Sequence, residues 1–321
     1  MEMFYLTLSQ MVTMFILIVA GYVLRKYNIL PEESHLTLSR LETYALVPAL
    51  NIVTWAKNCN LQTLKENAVL ILYGLGVIAA ALALAYLLSV FFVRNPKTSA
   101  EEYQRNIYKY AMTFGNYGYI GNFIILGVWG QEMFFKFSMF NICISFVCSS
   151  WGLIVLIPKD GSRVVSFKNM LRAIFTPPII ALFIGMFIGL LNLASYMPSY
   201  VETALANAGN CMGPVAMILA GFVIGGYNLK SLLLDRKIYV ATLFRLILIP
   251  ALFVTVLKIL GVNETVLILT LICFATPFGM NTIIYPAAYG GDFRTGASMT
   301  VISSTLSIIT IPLMYLLLIV L

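Results

Sequence analysis

Two stretches of the chain combine residue types for which a plain apolar helix has little use. The first, Thr113-Phe-Gly-Asn-Tyr-Gly-Tyr-Ile-Gly-Asn122, sets Gly115, Gly118 and Gly121 among Asn116, Tyr117 and Asn122. The second, Ala275-Thr-Pro-Phe-Gly-Met-Asn-Thr-Ile-Ile-Tyr-Pro286, sets Pro277, Gly279 and Pro286 around Asn281 and Thr282. Glycine costs about 1 kcal/mol relative to alanine inside a helix, and an asparagine amide away from water needs hydrogen-bond partners. Proline removes a donor and clashes with the turn before it. Both stretches therefore read as interrupted helices whose freed backbone groups, with the Asn and Thr side chains, line a polar cavity. The competing reading of the first stretch is close helix packing through glycines spaced by three, with the amides bonding a neighbour.

Other polar residues have plainer readings. Arg245 stands in an apolar run only about two turns after Lys237; it either neutralises an anion or, as the sequence favours, snorkels to the interface. Glu42 and Glu202 fall near the starts of two weakly apolar segments and are expected at the interface, with a proton-carrying role as the alternative. Asn141 either adds an amide to the cavity or satisfies a neighbouring helix. His35 is the only histidine, and the five cysteines show no pair at metal-ligand spacing, which argues against an enzyme, a metal centre or a disulfide framework.

The elements that position these residues are set by composition. Of 321 residues, 60% are hydrophobic and 10% charged, with a mean hydropathy of +0.92, where a soluble domain carries roughly 25% charged residues. This is an integral membrane protein of the all-α class. Soluble enzymes, nucleic-acid binders and disordered chains are excluded. Apolar runs near spanning length cover 4–24, 37–56, 68–93, 108–129, 133–157, 173–193, 201–226, 238–260, 265–289 and 297–321, ten transmembrane helices in all. The first lacks a basic segment and a cleavage pattern and is expected to be retained. Of the twenty Lys and Arg, the loops after even-numbered helices hold only Lys57, Lys65, Lys136 and Lys258. The rest, apart from Arg245, crowd the loops after odd-numbered helices. Those loops are accordingly cytoplasmic, both termini lie outside, and the net charge of +7 reports orientation in the plasma membrane.

A weak internal echo runs through this layout. Gly21, Pro31 and Pro48 recur as Gly189, Pro198 and Pro214, and the Gly115–Asn116 pair recurs as Pro277–Gly279. Halves of five helices each, 1–160 and 161–321, must lie in opposite orientations, so the sequence predicts two inverted five-helix repeats with helices 4 and 9 broken at matching places. That plan is common in secondary transporters and points to a midplane substrate site. Gly185/Gly189 and Gly221/Gly225 are small-residue faces for internal packing, with a homodimer through the same helices as the alternative.

With the ten-helix layout, Val47-Pro48-Ala49-Leu50, Gly115-Asn116 with Gly121, and Pro277, Gly279 and Ala287-Ala288-Tyr289-Gly290-Gly291-Asp292 in order, the chain resembles the auxin efflux carrier family. The resemblance covers essentially the whole chain. It implies a fold like that of the bile acid:sodium symporters, with a scaffold of helices 1, 2, 6 and 7 and a transport domain of helices 3–5 and 8–10. It also implies that Asn116 contacts a substrate carboxylate, with Tyr117 beside it and Asn281 and Thr282 opposite. Family members commonly carry a proline at each crossover, where this chain has Asn122-Phe123 and Thr282, so its breaks must rest on glycines, Pro277 and Pro286. The expected activity is transport of a small organic anion, a carboxylate or an indole-type acid, by alternating access. Rival readings are a sodium-coupled importer, with sodium as the one ion required, and a ligand sensor or channel.

Overall fold

The computed structural model describes residues 2–158, 175–227, 232–292 and 294–321. Five of the charges expected in cytoplasmic loops, Lys159, Arg163, Lys168, Arg172 and Lys230, lie outside the described residues. Twelve principal helices follow one another among those described: α1 (Glu2–Lys26), α2 (34–58), α3 (Leu61–Phe92), α4 (Ser99–Thr113), α5 (117–129), α6 (131–156), α7 (Pro177–Leu190), α8 (Ser199–Gly225), α9 (Arg236–Ile259), α10 (Glu264–Ala275), α11 (Asn281–Tyr289) and α12 (Arg294–Val320). Six helical stretches, in α1, α3, the joined α5–α6, α8, α9 and α12, are each long and apolar enough to cross a membrane, and α7 and α10 are shorter apolar helices. The protein is a multi-pass membrane protein.

Local chemistry sets the ends of these helices. Asn60 and Thr63 form a reciprocal capping box at the start of α3, and Thr98, Asp235 and Asn263 accept first-turn amides of α4, α9 and α10. Gly130, at φ +78° and ψ −169°, turns the chain from α5 into α6 in a conformation that side chains avoid.

The prolines reshape two helix interiors. Pro48 in α2 and Pro250 in α9 would clash with the carbonyls of Tyr44 and Leu246 in a regular helix. Each is preceded by a widened turn, Glu42–Leu46 and Phe244–Leu248, in which the N–H of Val47 bonds Glu42 O and that of Ile249 bonds Phe244 O. Glu42 and Arg245, both fully buried, sit in these two turns.

Packing is closest where glycines let backbones meet. A Cβ at Gly21 would overlap the Ile218 carbonyl, and one at Gly221 the Ile18 carbonyl, so α1 and α8 touch main chain to main chain. Gly185 and Gly189 do the same for α7 against α2, at Trp55 and Cys59. These glycines serve internal contacts. Aromatic rings fill the remaining interior: Trp55 meets Phe135 with centroids 4.9 Å apart, joining α2 to α6, and Phe92 stacks on Tyr108 at 4.6 Å, joining α3 to α4.

Two expectations are corrected here. Arg245 does not snorkel to the interface, because the ends of two interrupted helices supply buried acceptors within its reach. Glu42 is not interfacial: the widened turn and the helices packed on it leave its side chain 0% exposed, whereas Glu202 reaches Lys57 at 2.5 Å in a half-exposed pair.

Candidate functional site

The site is built around two places where helices stop. After Thr113 the backbone is extended through Phe114 (φ −114°, ψ 130°), and α5 begins at Tyr117. After Ala275 it is extended at Thr276 (φ −65°, ψ 147°), and α11 begins at Asn281. The two interruptions cross: Gly115 and Phe278 pair in antiparallel fashion, and the N–H of Asn116 donates to Pro277 O at 2.8 Å. Pro277 brings no amide that would need a partner. The backbone donor of Phe278, freed by the break, is met by Ser303 Oγ of α12 at 3.1 Å. A buried break in a membrane helix requires such partners. Gly115 is required by proximity, since a Cβ there would overlap the Arg245 guanidinium.

Arg245 holds one side of the crossing. Its Nη1 donates to Met112 O (3.2 Å) and Thr113 O (3.4 Å) at the end of α4; Nη2 donates to Cys273 O (3.1 Å) and Nε to Thr276 O (3.2 Å) at the end of α10. Helix C-termini carry unpaired carbonyls and about half a negative charge each. One guanidinium therefore satisfies and neutralises two of them, lying also 5.5 Å from the centre of the Phe274 ring.

The N-terminal ends of α5 and α11 lie on a cavity of about 340 Å³. In α5 the helical bonds begin with the amides of Ile120 and Gly121, both donating to Asn116 O, so the amides of Tyr117, Gly118 and Tyr119 stand at the positive end of the helix. The cavity is walled by α2 (Thr43, Val47, Asn51), α5 (Tyr117, Gly118, Tyr119, Asn122), α6 (Phe134 to Ser149), α7 with the residue before it (Thr176 to Met186) and α11 (Asn281, Tyr285). Among the described residues its lining contains no Asp, Glu, Lys or Arg. Its polar groups are amides and hydroxyls held in place: Tyr117 Oη lies 3.2 Å from Ser145 Oγ, Asn122 donates to Gly118 O at 2.6 Å, Asn51 to Pro178 O at 2.9 Å and Asn281 to Tyr110 Oη at 2.9 Å.

Of the residues singled out in the sequence, the cavity brings together Tyr117, Gly118, Asn122, Asn141 and Asn281. Asn116 is at the crossing, 4% exposed, but does not line the cavity; Thr282 turns its hydroxyl to Gly279 O at 2.8 Å. Gly115, Pro277 and Gly279 form the interruptions, whereas Gly118, Gly121 and Asn122 fall within α5 and Pro286 within α11. Pro48 and Pro214 lie in α2 and α8, away from the cavity lining. Asn141 contributes to the wall and donates to Phe137 O at 2.9 Å. Sequence reasoning missed Asn51, although an asparagine in an apolar span is the same signal that marked Asn116. It also missed Thr43, Ser138, Ser145 and Ser149, which have no distinguishing pattern.

A larger hollow of about 740 Å³ lies by the start of α4 and Asp292. Two of its carboxylates cap local turns, Glu101 accepting from the Lys97 amide at 2.7 Å and Asp292 from the Arg294 amide at 2.9 Å. Burial, and then the charge of Asp292, push the Tyr103 phenol there up to about 12, so it remains a donor to Leu156 O at 2.9 Å.

Crossed helix interruptions beside a cavity lined by apolar side chains, amides and hydroxyls, in a multi-pass helical protein, are the arrangement of a membrane transporter. The chain belongs to the membrane transport protein family (Mem_trans), the auxin efflux carriers, whose model matches residues 6–315. It is similar to the Uncharacterized transporter MJ1031 of Methanocaldococcus jannaschii, 26% identical over 93% of this chain and 94% of that one. A second relative, an uncharacterized transporter of Methanothermobacter thermautotrophicus, is 22% identical over 93% and 94% of the two chains. Transport, and not catalysis, is the activity this membership implies.

Proposed function

We propose that the chain is a secondary carrier of a small organic anion, a mono- or dicarboxylate or an indole-type acid, working by alternating access. The observation that carries this reading is the asymmetry of the crossing. Arg245 neutralises the two negative helix ends, while the two positive ends, at Tyr117 and Asn281, border a cavity that has no charged side chain among the described residues. An anion there meets oriented amides instead of a fixed cation, so it can be held and released. The volume suits a small acid, being at the lower end of the roughly 300–1,000 Å³ of ligand sites. Tyr117, Phe134, Phe146 and Tyr285 offer flat apolar surface for its body.

The same reading takes α4 with α5, and α10 with α11, as single interrupted spans, which gives ten spans in two inverted halves of five. Supporting it, Gly21 and Gly189, at equivalent places in the two halves, each bring a helix against one from the other half. The scaffold is then α1, α2, α7 and α8, and the transport domain the remainder. The cavity has α2 and α7 on one side and α5, α6 and α11 on the other, as a shift of one body against the other requires. With odd loops cytoplasmic and the termini outside the plasma membrane, an anion leaving the cell gains about 2.3 kcal/mol per charge at 100 mV.

The test is reconstitution into proteoliposomes on a solid-supported membrane, with currents recorded for a panel of carboxylates and indole acids, with and without sodium. A saturable current that weakens in Asn281→Ala supports the reading. Folded protein giving no current for any compound contradicts it, and a strict sodium requirement assigns the coupling ion instead.

A further inference from the structure

Glu42, in α2 next to the cavity-lining Thr43, is an ionisable side chain that the carrier reading leaves without a task. It is 0% exposed, and neither carboxyl oxygen has a hydrogen-bond partner. It occupies the first position of the widened turn ahead of Pro48, and its neighbour Thr43 borders the cavity. From α5, the Tyr119 phenol lies beside Thr43 and within electrostatic reach of the Glu42 carboxyl, and Tyr119 also borders the cavity. The turn that holds Glu42 is therefore linked to both sides of the cavity, through Thr43 of α2 and Tyr119 of α5.

Its surroundings supply no counter-charge among the described residues. On α8, which packs on this turn, the titratable side chains are Tyr200, Glu202 and Cys211, and Glu202 is paired with Lys57. The part of α7 packed there has none. α5 brings Tyr117 and Tyr119. On α2 itself, Arg40 is exposed, Tyr44 is 70% exposed, and His35 is engaged with Glu32 O at 2.6 Å; Arg25 of α1 is paired with Glu32. A buried carboxylate is sustained by donors or a cation, and with neither the neutral acid is the form that fits.

We propose that Glu42 is a proton-binding site whose protonation is coupled to the conformational change of the carrier, a proposal that rests on the carrier reading for its consequence but not for its chemistry. In the conformation seen, Glu42 holds the proton. When α5 moves along α2, Tyr119 leaves, and cavity water reaches the carboxyl past Thr43. The O–H bond then breaks heterolytically, its electron pair stays on the carboxylate oxygen, and the proton passes to water. By linkage, acid conditions favour the conformation seen here and alkaline conditions the other.

Infrared difference spectroscopy of the reconstituted protein, with no substrate added, tests the protonation. The expected result is a protonated-carboxyl C=O stretch at neutral pH that is absent from Glu42→Gln, shifted in Glu42→Asp, and lost as the pH is raised. Wild type and Glu42→Gln spectra that coincide in this region throughout the titration overturn the proposal. Solid-supported membrane currents with the carboxylate and indole-acid panel test the coupling. Glu42→Gln is expected to keep a saturable current and lose its dependence on pH; an unchanged pH profile overturns the coupling. A carboxyl band assigned to Glu42 without any current in wild type counts against the carrier alone, and a current without that band counts against the proton site alone. If Glu42→Gln does not fold, the shifted band in Glu42→Asp decides the protonation.

Discussion

The guanidinium of Arg245 donates to the carbonyl of Cys273 at 3.1 Å, one of four bonds by which a side chain of α9 closes the ends of α4 and α10. The bond matters because both helix ends are buried, and an unmet carbonyl in that place is costly.

Replacing Arg245 with methionine therefore leaves several buried acceptors unmet. The expected loss is about 3–5 kcal/mol, the usual cost of removing one partner from a buried charged network. Lysine should recover only part of it, since a single ammonium cannot span carbonyls from Met112 to Thr276. Thermal unfolding in detergent checks this, and a methionine variant that melts with wild type would mean the crossing is held by other contacts.

Two glycines three residues apart should respond in opposite ways. Alanine at Gly115 overlaps the Arg245 guanidinium and is expected to cost about 1–3 kcal/mol by overpacking. Alanine at Gly118 meets nothing within 4 Å and should leave the melting temperature almost unchanged. Leucine at Gly118 should fold yet fill part of the cavity and reduce the saturable current. Equal melting losses at both positions would contradict the geometry.

Asn281, on the cavity, and Asn116, at the crossing, should also respond differently. Asn281→Ala removes a polar group from the cavity and should raise the half-saturating concentration about tenfold, or about 1.4 kcal/mol. Asn116→Ala keeps the backbone bond to Pro277 and should shift it less, as should Thr282→Ala. Concentration–current curves for the three variants decide the order, and a larger effect at Asn116 would place the substrate against the crossing itself.

The half-exposed Lys57–Glu202 pair, joining α2 to α8, makes a useful control. Alanine at either residue should cost less than about 1 kcal/mol, and that cost should shrink with added salt. A salt-independent loss of several kcal/mol would show the pair to be shielded.

The broad design is legible in the sequence because lipid imposes it. Long apolar runs and the glycine and proline content at 113–122 and 275–286 locate the helices and their breaks. What escapes is the direction in which a side chain turns. Hydropathy cannot distinguish an arginine that reaches for the interface from one that reaches for carbonyls from other helices, and so it misplaces Arg245. It misplaces Glu42 for a related reason: burial there depends on a widened turn whose cause, Pro48, lies six residues downstream. Asn116 carries the expected polar group, but whether that group meets the cavity depends on a crossing made by residues far apart in the chain.

The crossing itself is made largely of main chain: Gly115 against Phe278, and the amide of Asn116 against the carbonyl of Pro277. Side chains such as those of Asn51, Asn281 and Tyr285 only border the space beside it. Architecture and selectivity are therefore written in different atoms. The lining can be exchanged, one residue at a time, to suit a longer, flatter or more polar molecule without loosening the junction beside it. A frame of this kind can be retuned to new cargo without having to be refounded.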